Sequence, residues 1–223
     1  MPKFAVILPA AGSSTRFGGG RNKLQQLLAG KTVLARSIQA FHSRTDVATI
    51  VMPVHTPGIL SPENVTICQG GGCRAESVYR ALQQTPADIE WIAIHDAARP
   101  LVSPALIDIT FAAALKYGAA APALPISLTI KQAIAPLPSK VQRTIARHEL
   151  WAMQTPQIAR RTDLLEAFER CPLPLDQVTD DLQLLELQGK EVWLVPGEER
   201  NLKITTALDL KLAELILTEA GEQ

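Results

Sequence analysis

Residues 4–20 read FAVILPAAGSSTRFGGG, an apolar run that passes directly into a loop of small residues and glycines. The run from Phe4 to Leu8 has the composition of a strand that is buried on both faces. Strands of this kind belong to parallel sheets, whose ligands bind in the loops at the carboxyl ends of the strands. The N-terminal segment therefore predicts a first buried strand followed by a candidate ligand-binding loop.

Similar apolar runs alternate with helix-like stretches along the rest of the chain. Further strands are predicted over Ala48–Val54, Trp91–His95 and Val192–Val195. Apolar residues at three- and four-residue spacing predict helices over Thr32–His42, Glu76–Gln84, Pro104–Lys116, Thr162–Arg170, Asp180–Gln188 and Ala207–Leu217. The alternation predicts an α/β fold with a mainly parallel, doubly wound sheet.

Length and composition limit the classes of protein to consider. A chain of 223 residues with 47% hydrophobic and 20% charged residues fits one globular domain over residues 1–223. Its zero formal net charge argues against a general binder of nucleic acid or of a membrane surface. No apolar stretch approaches the roughly 20 residues that span a bilayer, and no leader pattern is present, so we expect a cytoplasmic protein.

The three cysteines indicate neither a disulfide framework nor a zinc site. Cys68, Cys73 and Cys171 are odd in number and lack CxxC spacing, so we expect free thiols.

Charge is unevenly distributed along the chain. Residues 1–45 contain no Asp or Glu but carry seven Lys or Arg residues. An anionic ligand is therefore expected near the loop after the first strand.

In that loop, small residues let backbone N–H groups approach phosphate oxygens, while Arg16 and Lys23 supply positive charge. The spacing matches neither GxGxxG nor GxxxxGK[ST], so the alternatives are a phosphate cradle of another type and an ordinary loop, and the missing acids favour the cradle.

Two further loops carry residues suited to chemistry. Residues 70–78 read GGGCRAESV, in which glycine backbone and the Ser77 hydroxyl are suited to reading the edge of a base. Residues 94–100 read IHDAARP, in which Asp96 follows the predicted strand and suits Mg²⁺, while Arg99 is placed to orient Asp96 or to bind a substrate phosphate. The alternative for Asp96 is a turn or helix cap, and His95 is expected to be a packed, hydrogen-bonded histidine.

One segment departs from the alternating pattern. Residues Ser127–Ile134 and Val141–Ile145 predict two short strands around the turn 136–139, a hairpin arm over about 126–149. Because an isolated hairpin is marginal in water, we expect the arm to pack on a second copy of the chain or, alternatively, on its own domain.

Near the C-terminus, residues 200–205 read RNLKIT and precede a helix that Thr206 is placed to cap, with Asp209 three positions later. On a strand, Lys203 would point away from the apolar face formed by Leu202 and Ile204. By itself it is equally a surface lysine.

Together these segments resemble the 2-C-methyl-D-erythritol 4-phosphate cytidylyltransferase family over essentially the whole chain. The motifs that carry the resemblance, in chain order, are PAAGSSTR with Lys23, GGGCRAESV at 70–78, HDAARP at 95–100, LWAMQTPQ at 150–157, TDD at 179–181 and NLKIT at 201–205. The resemblance implies a Rossmann-like sheet flanked by helices, with a protruding β-hairpin arm that builds a homodimer. It also implies transfer of a cytidylyl group from CTP to a small sugar-alcohol phosphate, with release of pyrophosphate.

The resemblance also implies roles for individual residues. The cytosine would be surrounded by Ala10, Ala11, Gly71, Gly72 and Ser77, and the nucleotide site would also contain Arg74 and Ala97. The triphosphate would lie along Gly12, Arg16 and Lys23, with Mg²⁺ bound by Asp96 and the α-phosphate facing Lys203. The acceptor would be contacted by Thr129, Arg147 and Thr155, of which Thr129 and Arg147 would reach across the dimer. The catalytic residues are thus expected to be Arg16, Lys23 and Lys203.

Four positions depart from the family pattern. Phe17 stands where Met is common, Leu24 where Gln is common, Leu128 where Asp is common and Gly72 where an acidic residue often occurs. Gly72 leaves only backbone for a base contact, and Leu128 removes a carboxylate near the acceptor.

Three rival functions differ in what they require. A nucleotidylyltransferase for another alditol phosphate, such as ribitol 5-phosphate, would use the same triphosphate machinery. A glycosyltransferase of this fold generally needs a D-x-D motif, which the sequence lacks. A nucleotide-sensing module would not need Arg16, Lys23, Asp96 and Lys203 together.

Overall fold

The computed structural model describes residues 2–12, 17, 22–55 and 65–221. The strands are β1 (Phe4–Ile7), β2 (Leu27–Leu28), β3 (Lys31–Thr32), β4 (Val47–Val54), β5 (Val65–Gln69), β6 (Trp91–Ile94), β7 (Ala119–Pro125), β8 (Ile130–Ala133), β9 (Val141–Ile145), β10 (Trp151–Met153), β11 (Gln157–Arg160) and β12 (Trp193–Pro196). The α-helices are α1 (Val33–His42), α2 (Arg74–Gln83), α3 (Pro104–Tyr117), α4 (Arg161–Glu169), α5 (Gln183–Glu186) and α6 (Ala207–Glu219).

The main sheet is mixed but mostly parallel, as the alternation of elements predicted. Its strand order is β10-β7-β11-β6-β1-β4-β5, with β12 pairing with β7. The four neighbours β6, β1, β4 and β5 are parallel to one another, so their carboxyl ends form one edge. Strand β11 is antiparallel to both β6 and β7, which separates the parallel half from the rest of the sheet.

Apolar side chains on the two faces of the sheet form two cores. Phe4 and Val6 of β1 pack with residues of α1, α3 and α6, whereas Ala5 and Ile7 pack with residues of α2, α4 and α5. Because successive side chains of a strand point to opposite faces, one continuous apolar strand serves both cores. Burial on both faces explains why the run has no polar residue.

Two predicted elements need correction. The helix predicted over Asp180–Gln188 is only Gln183–Glu186, because the Asp180 carboxylate accepts a hydrogen bond from the Gln183 N–H at 2.8 Å and so begins the helix there. Gly189, with φ of 71°, then ends the turn in a left-handed conformation. The predicted arm strand Ser127–Ile134 begins only at Ile130 and ends at Ala133.

The predicted hairpin is present as a separate two-stranded sheet of β8 and β9. Cross-strand hydrogen bonds support it: Lys131 Nζ donates to Thr144 Oγ1 at 2.7 Å, and Arg143 Nε donates to Gln132 Oε1 at 2.7 Å. Large apolar side chains on and beside the hairpin remain exposed, by 65–78% for Leu128, Ile134 and Leu137.

Within the described ranges, no helix combines the length and the apolar character that crossing a membrane requires.

Candidate active site

A cleft of about 440 Å³ lies at the carboxyl ends of the four parallel strands. Residues 9–12 follow β1, His55 follows β4, Gly72 follows β5 and Asp96 follows β6, and each of these loops lines the cleft. This is the edge at which doubly wound sheets bind ligands. The predicted loops after the first strand, at residues 70–78 and at 94–100 are therefore brought together, as expected.

Most of the predicted nucleotide and catalytic residues line the cleft. These are Ala11, Gly12, Lys23, Gly72, Arg74, Ser77, Asp96, Ala97 and Lys203. Ala10 is buried behind the lining. Arg16 lies outside the described residues.

Several lining residues were not predicted from the sequence, namely Pro9, Phe17, Leu24, His55, Cys73, Ala98 and Thr205. Most of these residues are neighbours of predicted ones, so the sequence identified the loops that carry them but not the residues themselves. His55 is different, because its only sequence signal is its place at the end of a predicted strand.

The Asp96 carboxylate lies among three cationic side chains. Its Oδ2 is 2.8 Å from Lys203 Nζ and 3.6 Å from Arg99 Nε, and its Oδ1 is 3.2 Å from Arg74 Nη2. Burial alone would raise the pKa of this carboxyl, but the charges of Arg74 and Lys203 outweigh burial and hold the pKa well below its usual value. Asp96 is therefore ionised at neutral pH. Within the described residues its carboxylate pairs with cations and does not act as the cap that was the alternative.

Lys203 reaches Asp96 because the loop that carries it is anchored on both sides. The Ile204 N–H donates to the Ala98 carbonyl at 2.8 Å, and its side chain is buried in the core. Arg99 Nη1 donates to the Asn201 carbonyl at 2.6 Å. Residues 201–205 form no strand, which corrects the conditional strand assignment, but Lys203 lines the cleft whereas Ile204 is buried in the core. As predicted, Thr206 caps α6 in a capping box with Asp209.

His95 and Thr155 hold the backbone of Asp96 from behind. His95 Nε2 lies 3.0 Å from the Arg99 carbonyl, which can only accept, so Nε2 carries the proton. His95 Nδ1 then accepts the hydroxyl proton of Thr155 at 3.0 Å, and the same hydroxyl oxygen accepts the Asp96 N–H at 3.1 Å. The prediction that His95 is a packed, hydrogen-bonded histidine is confirmed. The Thr155 hydroxyl, which was predicted to contact the acceptor, donates its hydrogen bond to His95 instead.

His95 also makes folding stability depend on pH. Burial lowers the pKa of its imidazole to about 4, whereas an unfolded histidine titrates near pH 6.5. Between these two pH values the unfolded chain binds a proton at this residue and the folded chain does not. The contribution of neutral His95 to the free energy of unfolding is therefore complete above about pH 6.5 and is lost as pH falls toward 4.

We expect the free energy of unfolding to fall by about 2 kcal/mol on this account between pH 7 and about pH 4.5. Urea unfolding of the wild type and of His95→Gln at both pH values measures it, because the variant lacks the titrating group. Equal pH dependence in the two proteins would contradict the assignment.

The second loop is braced by its own helix. The Gly71 N–H donates to Ser77 Oγ at 2.9 Å, and the Gly72 N–H donates to Glu76 Oε2 at 2.6 Å. A Cβ on Gly70 would lie 2.8 Å from the Ala11 Cβ, so glycine is needed where this loop approaches the first one. Any base contact by Gly71 or Gly72 is thus left to their carbonyl oxygens, since both N–H groups are already bonded.

The remaining predicted substrate residues lie outside the cleft lining. Arg99 is largely buried, with its guanidinium directed to the backbone carbonyls of Asn201 and Met153. Thr129 and Arg147 are exposed on the arm, where Arg147 donates to the Ser127 carbonyl. Neither arm residue is among the described residues that line the cleft.

The residues of the cleft suit a divalent cation that binds together with a phosphate-bearing substrate. Among the described residues no group of three or more His, Cys, Asp or Glu side chains forms a ready-made metal site. The lone, ionised Asp96 instead matches Mg²⁺, which commonly takes one or two carboxylates and completes its shell with phosphate oxygens and water.

A cleft with glycine loops, cations and one carboxylate at the carboxyl edge of such a sheet suits a phosphate-linked ligand, whose transfer depends on positioning and charge. The fold and the cleft thus define a nucleotidyltransferase. Comparison with protein families narrows the class: residues 4–219 match the model described as IspD, 2-C-methyl-D-erythritol 4-phosphate cytidylyltransferase, and the chain belongs to this family.

Curated relatives agree with the family. A 2-C-methyl-D-erythritol 4-phosphate cytidylyltransferase of Gloeobacter violaceus is 40% identical, over 95% of each chain. A bifunctional enzyme IspD/IspF of Desulfotalea psychrophila is 38% identical across the whole chain, which spans 58% of that relative's length.

Solved structures show the same fold. The Francisella tularensis enzyme of this name superposes with a TM-score of 0.83 at 30% identity, over 96% of this chain and 99% of that one. The Thermus thermophilus enzyme gives 0.80 at 32% identity, over 98% and 100%.

Proposed function

We propose that this chain transfers the cytidylyl group of CTP to 2-C-methyl-D-erythritol 4-phosphate, a reaction of the non-mevalonate isoprenoid pathway. The observation that carries the proposal is the ionised Asp96, which lies between Lys203 and Arg74 in the cleft. The cleft lies at the edge of the sheet where folds of this kind bind nucleotides. A phosphate oxygen of the acceptor forms the new bond to the α-phosphorus, and the bond to the β-phosphate oxygen breaks as pyrophosphate leaves. No covalent intermediate with the protein is needed.

Asp96 would hold Mg²⁺, which when bound supplies charge neutralisation to the phosphate oxygens. Lys203 and Lys23 line the same cleft and would stabilise the charge that builds on the α-phosphate and on the leaving pyrophosphate. Because Lys203 Nζ lies 2.8 Å from Asp96 Oδ2, its ammonium group is positioned beside the residue that would hold the metal. We assign Arg16 to the triphosphate with Lys23, on the family resemblance alone.

The braced glycine loop supports a preference for cytosine. With the N–H groups of Gly71 and Gly72 bonded inside the chain, their carbonyl oxygens would be the groups left for a base, although of the two residues only Gly72 is among the described residues that line the cleft. Carbonyl oxygens accept from the N4 amino group of cytosine but repel the O4 of uracil. Ser77 and Ala11 complete this wall of the cleft, and Ala10 backs it.

The acceptor site would be completed by the arm. We propose that Thr129 and Arg147 contact the acceptor phosphate from a second copy of the chain, since both are exposed and neither lines this chain's own cleft. Arg99 and Thr155 would act at the base of the same site, where they already fix the Asp96 turn.

The same arm, residues 126–149, would build a homodimer of single-domain chains. Its exposed Ile134 and Leu137 are large apolar side chains in the connection between β8 and β9, and a two-stranded sheet is marginal alone. We expect light scattering after gel filtration to give a dimer mass. Leu137→Lys should shift the mass toward monomer, while Leu208→Lys, at an equally exposed leucine of α6, should not. A monomeric wild type would contradict the arrangement.

We also place the enzyme in the cytoplasm. All three cysteines are free thiols, as predicted, which suits a reducing compartment.

The deciding experiment is pyrophosphate release by the purified chain with Mg²⁺, with CTP, UTP and ATP crossed against methylerythritol 4-phosphate and ribitol 5-phosphate. Rapid release only with CTP and methylerythritol 4-phosphate is expected. Turnover with ribitol 5-phosphate alone would keep the reaction class and change the acceptor. Nucleotide binding without turnover for any pair would favour the sensing module.

A further inference from the structure

A second carboxylate lies behind the cleft, on the far side of Arg74. Asp181 is 0% exposed, and its Oδ2 lies 2.8 Å from Arg74 Nη2. The same nitrogen donates to Oδ1 of Asp96 at 3.2 Å, and Arg74 Nε donates to that oxygen at 3.3 Å. Arg74 therefore bridges two carboxylates, one in the cleft and one in the interior.

The Asp181 side chain has no other task among the described residues. Neither of its buried carboxylate oxygens has another polar partner in the described part of the chain, and burial raises the pKa of the carboxyl, so the 2.8 Å ion pair with Arg74 is what favours its charged form. The loop itself is held by other groups: Gln157 accepts the Asp181 N–H at 3.0 Å, and Asp180 accepts from Gln157 Nε2 at 3.1 Å. Burying a carboxylate with a single partner seldom adds stability, so stability alone does not explain this charge.

Arg74 itself occupies an electrostatically poor position. It is the first residue of α2, where the helix dipole favours negative charge and disfavours a cation. Burial alone lowers the pKa of its guanidinium, but the charges of Asp181 and Asp96 raise the pKa above its usual value. The two carboxylates therefore hold the guanidinium, and the shorter contact is the one to Asp181.

From this geometry we infer that Asp181 is a positioning residue, which competes with Asp96 for Arg74 and so weakens the hold of the guanidinium on Oδ1 of Asp96, the oxygen that a divalent cation would need. The inference rests on the proposed function, in which Asp96 binds that cation. Arg74 and the cation compete for the same oxygen. Without the Asp181 charge, Asp96 would be the only carboxylate that pairs with Arg74 among the described residues, and the guanidinium would hold Oδ1 more firmly.

Mn²⁺ is a suitable probe, because its free concentration is measured directly by electron paramagnetic resonance without turnover. With saturating CTP present, we expect Asp181→Asn to weaken Mn²⁺ binding about tenfold, which corresponds to about 1.4 kcal/mol. Asp181→Ala should do the same, since it removes the charge without placing an amide opposite Arg74, and it serves if the Asn variant does not fold. The matched control is Asp180→Asn, which should lower the melting temperature through its hydrogen bonds but leave Mn²⁺ affinity unchanged.

A double variant tests whether the effect passes through Arg74. In an Arg74→Gln background, adding Asp181→Asn should leave Mn²⁺ affinity unchanged, because the competing cation is already gone. Unchanged affinity in both Asp181 single variants, or an undiminished shift in the Arg74→Gln background, would overturn the inference while the metal site stands. If the wild type with CTP bound no Mn²⁺, the proposed metal site would fail and this inference with it.

Discussion

Asp96→Asn is expected to lower kcat/KM for cytidylyl transfer by on the order of 10³-fold. The substitution keeps the size of the side chain and removes its charge, which is the feature that three neighbouring cations stabilise in the folded protein. An amide is a far weaker ligand for Mg²⁺ than a carboxylate, and it no longer fixes Lys203 in place. Initial rates of pyrophosphate release at saturating Mg²⁺ measure the loss.

Loss of fold has to be separated from loss of chemistry in this variant. Removing one partner of a buried ion pair costs about 3–5 kcal/mol when nothing replaces it. Here the loss should be smaller, because Arg74 keeps Asp181 and Lys203 can turn toward solvent. Urea unfolding gives the stability, and Asp108→Asn, which removes an exposed carboxylate paired with Arg44, is the matched control. A folded Asp96→Asn with wild-type turnover would remove Asp96 from the mechanism.

Three of the four strands in the parallel half were predictable because they are apolar runs with buried faces, whereas β5, which is partly exposed along its whole length, was not predicted. Phe4–Ile7, Val47–Val54 and Trp91–Ile94 each have a run of apolar, often β-branched residues, and each was located to within one residue at its ends. The loops after them carry the site, so locating the strands located most of the cleft. Strand β7, in contrast, reads AAAPALP, and alanine and proline are poor indicators of a strand.

The remaining parts of the site depend on contacts between distant segments. Nothing near Thr155 in the sequence indicates that its hydroxyl lies between the Asp96 N–H and His95, 59 and 60 residues away. The pairing of Arg74 with Asp181 likewise crosses from α2 to the loop before α5. A TDD motif shows that acids are present but not which of them faces a cation, because that depends on how β11 enters the sheet antiparallel to its neighbours.

Lys203→Ala is expected to lower kcat by about 10²-fold with little change in the KM for CTP. The ammonium group lies 2.8 Å from Asp96 in a cleft that also contains Lys23, so it is positioned for charge that develops between the α-phosphate and the leaving group. Since Lys23 remains to attract the triphosphate, the ground-state affinity should largely survive. Steady-state rates over a range of CTP concentrations separate kcat from KM.

Two comparisons make the interpretation of Lys203 specific. Lys211→Ala removes an exposed lysine from the neighbouring helix α6 and should leave both constants unchanged, which controls for the general loss of positive charge. Lys203→Arg should recover only part of the rate, because a guanidinium presents a planar fork where a compact ammonium reaches Asp96. A rise in KM with unchanged kcat would instead mean that Lys203 binds CTP equally in the ground state and the transition state. In that case the leaving group would be stabilised by Lys23 and the metal.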